Sequence, residues 1–236
     1  MKKTIGIIGG MGPLATCDLF RKIIDVTDAA CDQDHIRVCI DNNTEIPDRT
    51  AAIIGTGANP VEQMIFSAKG LRDMGADVLI MPCNTAHYFF EDVAEAVNIP
   101  LLNMIEETAK VIRSKGISHI GLLATDGTIQ SGVYERAFKK EGICTTVPSA
   151  EKQKAVMGLI YDGVKAGNYQ YDLTAFYAAM EELFSAGVEV LVLGCTELPV
   201  AFQMFDIDRP NIDPTQILAV AAVQFVGGKL KKNILM

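Results

Sequence analysis

Short apolar runs alternate with longer stretches of helical spacing along the chain, and this alternation predicts its elements. The first half reads strand 4–8, helix 14–30, strand 36–40, helix 60–74, strand 77–82, helix 86–97 and strand 100–103. The second half reads strand 119–123, helix 129–141, strand 143–147, helices 151–166 and 172–186, strand 189–193, a short helical segment near 198–205 and strand 210–212. Strands that are apolar throughout are covered on both faces, and strands separated by helices pair in parallel. The predicted class is therefore α/β.

The two halves repeat each other. Gly75 to Cys83 reads Gly-Ala-Asp-Val-Leu-Ile-Met-Pro-Cys, and Gly187 to Cys195 reads Gly-Val-Glu-Val-Leu-Val-Leu-Gly-Cys. Each copy has a helix-ending glycine, an apolar strand, and a thiol where the strand stops. The segment Thr4 to Pro13 resembles His119 to Thr128, a buried strand running into a glycine-rich turn in both. Ile99-Pro-Leu-Leu-Asn103 matches Arg209-Pro-Asn-Ile-Asp213, each with a proline ahead of a short strand. The copies lie about 110 to 115 residues apart, too far for a solenoid repeat and suitable for a domain. The expected architecture is two similar lobes, each a short parallel sheet flanked by helices, related by a pseudo-twofold internal duplication. After Asn103 the chain crosses to the second lobe. The last helix, with Asp213 as N-cap and Pro214 at its first position, returns to cover the first. The expected boundaries are residues 1–103 plus 214–236 for one lobe and 104–213 for the other. No Ser/Gly-rich linker separates them, so the lobes are expected to pack closely.

Composition narrows the function classes. The 236 residues suffice for one large domain or two small ones, and the apolar and charged fractions are those of an ordinary globular protein. A net charge of −8 with no Lys/Arg cluster argues against a nucleic-acid partner, although local cations can still hold an anionic substrate. The run Ile5–Gly10 is too short for a secretory signal and Ile217–Val226 too short to span a bilayer, so a cytoplasmic protein with no membrane partner is expected. The six cysteines follow no disulfide spacing, contain no CxxC, and are expected to be reduced. Cys83 and His87 have helical ligand spacing, but no second pair completes a zinc site, so no metal is expected. Cys17, Cys31, Cys39 and Cys144 read as small core or near-core hydrophobes.

Open α/β sheets bind ligands at the carboxyl ends of their strands. A duplication that delivers one thiol from each half implies a site between the halves, with a cysteine on each side. That geometry suits a reaction in which one group removes a proton and another returns one from the opposite face. Cys83 opens Cys-Asn-Thr-Ala-His, and Cys195 opens Cys-Thr-Glu-Leu-Pro. Each thiol is expected at or just before a helix N-terminus, where free N–H groups and the helix dipole favour a thiolate. The hydroxyls of Thr85 and Thr196 and the amide of Asn84 are placed to hydrogen-bond a thiolate or a carboxylate.

Five blocks carry a family resemblance. They are Gly9-Gly-Met-Gly-Pro13, Ile46-Pro-Asp-Arg-Thr50, Pro82-Cys-Asn-Thr-Ala-His87, Gly121 to Thr128, and Gly194-Cys-Thr-Glu-Leu-Pro199. In this order, over nearly the whole chain, they resemble the aspartate/glutamate racemase superfamily, in its aspartate racemase branch. Glutamate racemases carry an Asp-Ser-Gly pattern where this chain has Gly-Gly-Met-Gly. The resemblance implies cofactor-independent racemisation of an amino-acid dicarboxylate, aspartate or glutamate, by two cysteines in an interlobe cleft, in a homodimer. A broader amino-acid range or a maleate isomerase-like reaction is the alternative within the superfamily, while the related decarboxylases have only one of the two cysteines. Cys83 and Cys195 are the expected acid/base pair, and similar environments would let them exchange roles.

Substrate contacts follow from the same blocks. Arg49, read as part of a polar loop, is suited to grip a carboxylate bidentately, against the plainer reading of a surface arginine paired with Asp48. The resemblance makes Lys165, at the end of a helix, a second carboxylate contact. Met11, Thr125 and Thr128 are expected in paired turns facing the cleft, offering N–H groups or hydroxyls. Glu197 is placed to orient a thiol or the substrate ammonium, and His87 to support from behind at most. Two readings of other classes compete. Gly10-Met-Gly-Pro-Leu-Ala15 fits a dinucleotide fingerprint, but Pro13 stands where the helix should begin, and the fingerprint explains neither cysteine. A two-lobed dicarboxylate-binding protein would need neither thiol.

Overall fold

A computed structural model describes residues 2–232; Met1 and residues 233–236, which fall at the ends of the expected first lobe, lie outside the described residues. The first half contains β1 (Thr4–Gly9), α1 (Pro13–Val26), a 3-10 turn at Asp32–Asp34, β2 (Arg37–Asn42), α2 (Arg49–Ile53), α3 (Val61–Asp73) and β3 (Val78–Ile80). A 3-10 turn at Thr85–Phe89 then leads into α4 (Phe90–Glu95) and α5 (Met104–Ser114). The second half contains β4 (His119–Ala124), α6 (Asp126–Ser131), α7 (Val133–Lys140), β5 (Cys144–Thr146), α8 (Ala150–Gly158) and a π-helical segment at Leu159–Lys165. It ends with α9 (Thr174–Ser185), β6 (Val190–Gly194), α10 (Glu197–Met204), β7 (Asn211–Ile212) and α11 (Pro214–Phe225).

The apolar runs form two parallel sheets, ordered β2-β1-β3 and β5-β4-β6-β7. A parallel bridge from Leu79 to Leu101 occupies in the first sheet the place that β7 holds in the second. The repeat read from the sequence is thus a repeat of topology. Gly75 and Gly187, which end α3 and α9, have φ of 91° and 84°. That left-handed conformation admits glycine without strain and turns each chain directly into its strand.

The last helix of each half covers the other half. Asn103 caps α5 and Asp213 caps α11, each side chain accepting two backbone N–H bonds. Ile105, Ala109 and Ile112 of α5 pack with Ile120, Leu122, Val190 and Val192 of the second sheet. Leu218, Ala219, Ala222 and Val223 of α11 pack with Ile5, Ile7, Val78 and Ile80 of the first. Burying each Leu, Ile or Val side chain contributes roughly 1.5–3 kcal/mol, so the exchange binds the halves through their cores. A buried ion cluster reinforces it. Lys22 Nζ of α1 lies 2.5 Å from both Asp18 Oδ2 and Asp213 Oδ2, and it donates to Thr215 Oγ1 at 3.1 Å.

Several expectations need correction. Between the expected strands 100–103 and 119–123, where the sequence pattern predicts no element, the chain forms helix α5. Pro100 has no N–H, and only the Leu101 bridge forms before Asn103 starts the helix. The expected helix 129–141 starts earlier, at Asp126, and is broken at Gly132, which has φ of 63°. The expected helix 151–166 passes into π-helix at Leu159. Cys39 is buried, but Cys17, Cys31 and Cys144 are exposed rather than core residues. Cys17 lies off the buried stripe of α1, Cys31 lies in a loop, and Cys144 is on the edge strand β5. Among the described residues, no helix is long and apolar enough to cross a membrane.

Candidate active site

Both repeated strands end at one cleft. β3 stops at Ile80 because Pro82 cannot donate to the ladder, and Cys83 follows in a tight turn, its N–H bonded to the Met81 carbonyl at 2.9 Å. β6 runs to Gly194 and Cys195 follows at once. The two buried thiols line the same narrow cleft. Met11, Arg49, Asn84, Thr85, Thr125 and Lys165 line it as well, together with Thr196 and Glu197. Thr128 does not. It sits behind, where the hydroxyls of Thr85, Thr125 and Thr128 close a triangle with sides of 2.8–3.0 Å. This triangle ties the end of the first sheet to the capping turn of α6. The halves also touch at Gly127, where a Cβ would lie 2.8 Å from the Thr50 Cα.

Arg49 is not in a loop and not on the surface. It opens the short helix α2, capped by Asp48, which accepts the Ala51 N–H at 2.7 Å. Asp48 therefore serves the helix, and the guanidinium turns inward to a site only 8% exposed. It donates to the carbonyls of Met11 at 3.1 Å, Pro47 at 3.0 Å and Ile46 at 3.3 Å. Burial works against its charge, but Cys83, Asp48 and Glu197 outweigh that and hold its pKa above the ordinary value. Its Nε is buried without a protein partner.

The second thiol meets the opposite charge. Cys195 Sγ donates to Glu197 Oε2 at 3.0 Å, and Thr196 Oγ1 donates to the same oxygen at 3.3 Å. Burial first, and then the Glu197 carboxylate, push the Cys195 thiol well above the ordinary cysteine range. Lys165 Nζ lies 3.4 Å from Glu197 Oε1 and 5.0 Å from the centroid of the Tyr161 ring. The π-helical turn brings this lysine to the cleft. Burial disfavours its charge, but Glu197, Cys195, Tyr161 and Cys83 outweigh that and raise its pKa.

His87 proves more constrained than its expected supporting place suggested. Its Nε2 accepts the Met104 N–H at 3.1 Å, which leaves Nδ1–H to donate to the Cys83 carbonyl at 2.8 Å. It thereby ties the Cys83 turn to the start of α5. Full burial lowers its pKa to about 4. Tyr134, Tyr161 and Thr50 were not singled out from the sequence. Tyr161 had a usable signal, since it stands four residues before Lys165 on one helical face. Tyr134 had none. It reaches Asn84 Oδ1, at 2.5 Å, from 50 residues away. Among the described residues no cluster of three or more His, Cys, Asp or Glu side chains is placed to hold a metal ion.

The sequence model of the Asp/Glu/Hydantoin racemase family matches residues 8–222, a span that includes both cysteines. The chain belongs to this family. The broad specificity amino-acid racemase RacX of Bacillus subtilis (strain 168) is 29% identical over 224 residues, covering 93% of this chain and 96% of that protein. The structure of Picrophilus torridus aspartate racemase superposes with a TM-score of 0.87 at 35% identity, covering 98% of this chain and 97% of that one. An aspartate racemase homologue from Pyrococcus horikoshii OT3 gives a TM-score of 0.76 at 26% identity, over 96% of this chain and all of the other. The glycine-rich turn ahead of α1 approaches the carboxylate of Glu197 in the second half, and a Cβ at Gly12 would lie 3.3 Å from Glu197 Oε1.

Proposed function

We propose that this chain is a cofactor-independent amino-acid racemase whose preferred substrate is aspartate, with glutamate as the next candidate. The observation that carries the reading is a pair of buried thiols in one cleft, one beside a guanidinium and the other donating to a carboxylate. Arg49 and Lys165 put two cations on a small cleft, which suits a substrate with two carboxylates.

In the proposed cycle Cys83, next to the Arg49 charge, starts as thiolate and takes the α-proton from one face. The carbanion so formed has its charge spread onto the substrate carboxylate, where fixed donors stabilise it. Cys195, held as a thiol by burial and Glu197, gives its proton to the opposite face. Configuration is inverted, and the enzyme is left with a Cys83 thiol and a Cys195 thiolate. The reverse reaction starts from that state. Lys165 balances Glu197 throughout and contacts the side-chain carboxylate.

Incubation of the protein with a panel of L-amino acids in heavy water, followed by chiral analysis and mass spectrometry, tests the reading. The expected result is D-aspartate carrying one solvent deuterium at the α-carbon, formed without pyridoxal phosphate or metal. Inverted product that keeps its original hydrogen, or activity that depends on added pyridoxal phosphate, overturns it. The panel also measures breadth, which the Bacillus subtilis relative makes a specific question. Replacing Lys165 with Met is expected to reduce turnover of aspartate by about tenfold or more while sparing any turnover of alanine. Equal losses on both would assign Lys165 to structure.

A further inference from the structure

We infer that Tyr134 is a positioning residue for the substrate carboxylate, its hydroxyl locking the Asn84 amide with the NH2 group turned into the cleft. The inference deepens the racemase reading and rests on it. Asn84 follows Cys83, is buried, and lines the cleft. Tyr134 comes from α7 and is 1% exposed. Its Oη lies 2.5 Å from Asn84 Oδ1. Burial first, and then the Asp213 carboxylate, keep the phenol protonated and hence a donor.

An asparagine amide has an accepting end and a donating end, and only its partners decide which faces where. With Oδ1 taking the phenol proton, Nδ2 points the other way, and it is buried without a partner. Native proteins rarely leave such a donor unpaired, because its lost hydration is not repaid. A carboxylate in the cleft repays it. The flipped amide would leave the phenol proton without an acceptor and aim a carbonyl oxygen at an anionic substrate. Tyr134 therefore acts through Asn84, and it gives the cleft a neutral donor beside the cations Arg49 and Lys165.

Succinate, a dicarboxylate with no α-amino group and no stereocentre, is the probe, and calorimetric titration of the intact protein reads its binding without requiring racemisation. Tyr134→Phe is expected to weaken succinate by about tenfold. Asn84→Ala is expected to weaken it at least as much, and the double variant no further than Asn84→Ala alone, since Tyr134 acts only through the amide. The nearly isosteric Asn84→Asp keeps an acceptor for Tyr134 and replaces the NH2 with an oxygen. It is expected to lose about a hundredfold while melting near the wild-type temperature, so the answer does not depend on how well Tyr134→Phe folds. Wild-type affinity in Tyr134→Phe or Asn84→Asp, or losses that multiply in the double variant, would overturn the inference. So would a wild-type protein that does not bind succinate. A protein that binds succinate with this pattern yet racemises no amino acid would overturn the racemase reading and leave the role of Tyr134 standing.

Discussion

Cys83 and Cys195 stand at equivalent ends of duplicated strands, yet their surroundings carry opposite charge. On the Cys83 side a buried guanidinium faces the sulfur, and His87 fastens the carbonyl behind it. On the Cys195 side a carboxylate accepts a hydrogen bond from the thiol and a lysine closes the far edge. Similar environments were expected from the repeat, and the structure departs from that. The backbone was duplicated, whereas the charged groups come from elements outside the repeat motif, α2 and the π-helical turn, or from non-equivalent positions after each cysteine. Asn84 follows one cysteine where Thr196 follows the other, and Thr85 occupies the place of Glu197. A matched pair of positions with unmatched charges fits a resting state in which the two thiols hold different protonation states, as a two-base inversion requires at its start.

The comparison breaks most sharply when one thiol is removed. We predict that Cys83→Ser and Cys195→Ser each lower racemisation by roughly 10⁴-fold, the upper end of what a positioned acid or base contributes. The two variants should nevertheless differ. Cys195→Ser keeps the thiol beside Arg49 and should still exchange the α-hydrogen of one enantiomer with heavy water, without inversion. Cys83→Ser should show neither. Identical behaviour in proton NMR exchange assays would mean that the charge difference has no chemical consequence.

Next in size is Arg49. Arg49→Lys keeps a charge but loses the planar fork and its carbonyl contacts, so kcat/KM for aspartate is expected to fall by about 2 to 4 kcal/mol of transition-state binding. Steady-state kinetics at unchanged kcat/KM would remove Arg49 from the site chemistry. Glu197→Gln probes the other side and should cost about a hundredfold in kcat. With the carboxylate gone, an interaction that raises the Cys195 pKa is gone too, so that thiol should titrate at lower pH than in the wild type. Iodoacetamide labelling followed across pH checks this, and an unmoved or higher titration point for Cys195 would contradict it.

The smallest effect concerns the fastening of the Cys83 turn. The His87 pKa in the fold, about 4, lies below the ordinary 6.5, so between those values the unfolded chain takes up a proton that the fold refuses. Its contribution to stability is therefore complete above about pH 6.5 and is lost progressively as the pH falls toward 4. Between pH 6.5 and pH 5 the loss amounts to about 1.5 kcal/mol. His87→Gln should lack this component, and urea unfolding of both proteins at the two pH values reads the difference. Parallel pH slopes would show that His87 is not held neutral.

The sequence by itself determined the α/β alternation, the duplication and the two cysteines. These are local properties, legible because each strand is a continuous apolar run closed by a glycine or a polar block. Gly75 and Gly187 show how far such reading goes, since a helix-ending glycine has one physical use in that context and both take it. Asp213 and Pro214 likewise announced α11. Helix α5 has an equally good cap in Asn103, yet the sequence pattern predicts no element there. Only the tertiary structure decided the charge at each thiol. Arg49 looked like a loop residue beside Asp48, and its inward turn depends on three carbonyls, one of them 38 residues away at Met11. The lock of Tyr134 on Asn84 spans 50 residues and follows from no periodicity. Periodicity tells which face of an element is buried, because burial is a property of the element. It does not tell which polar group will meet which, because that depends on packing two halves of the chain against each other.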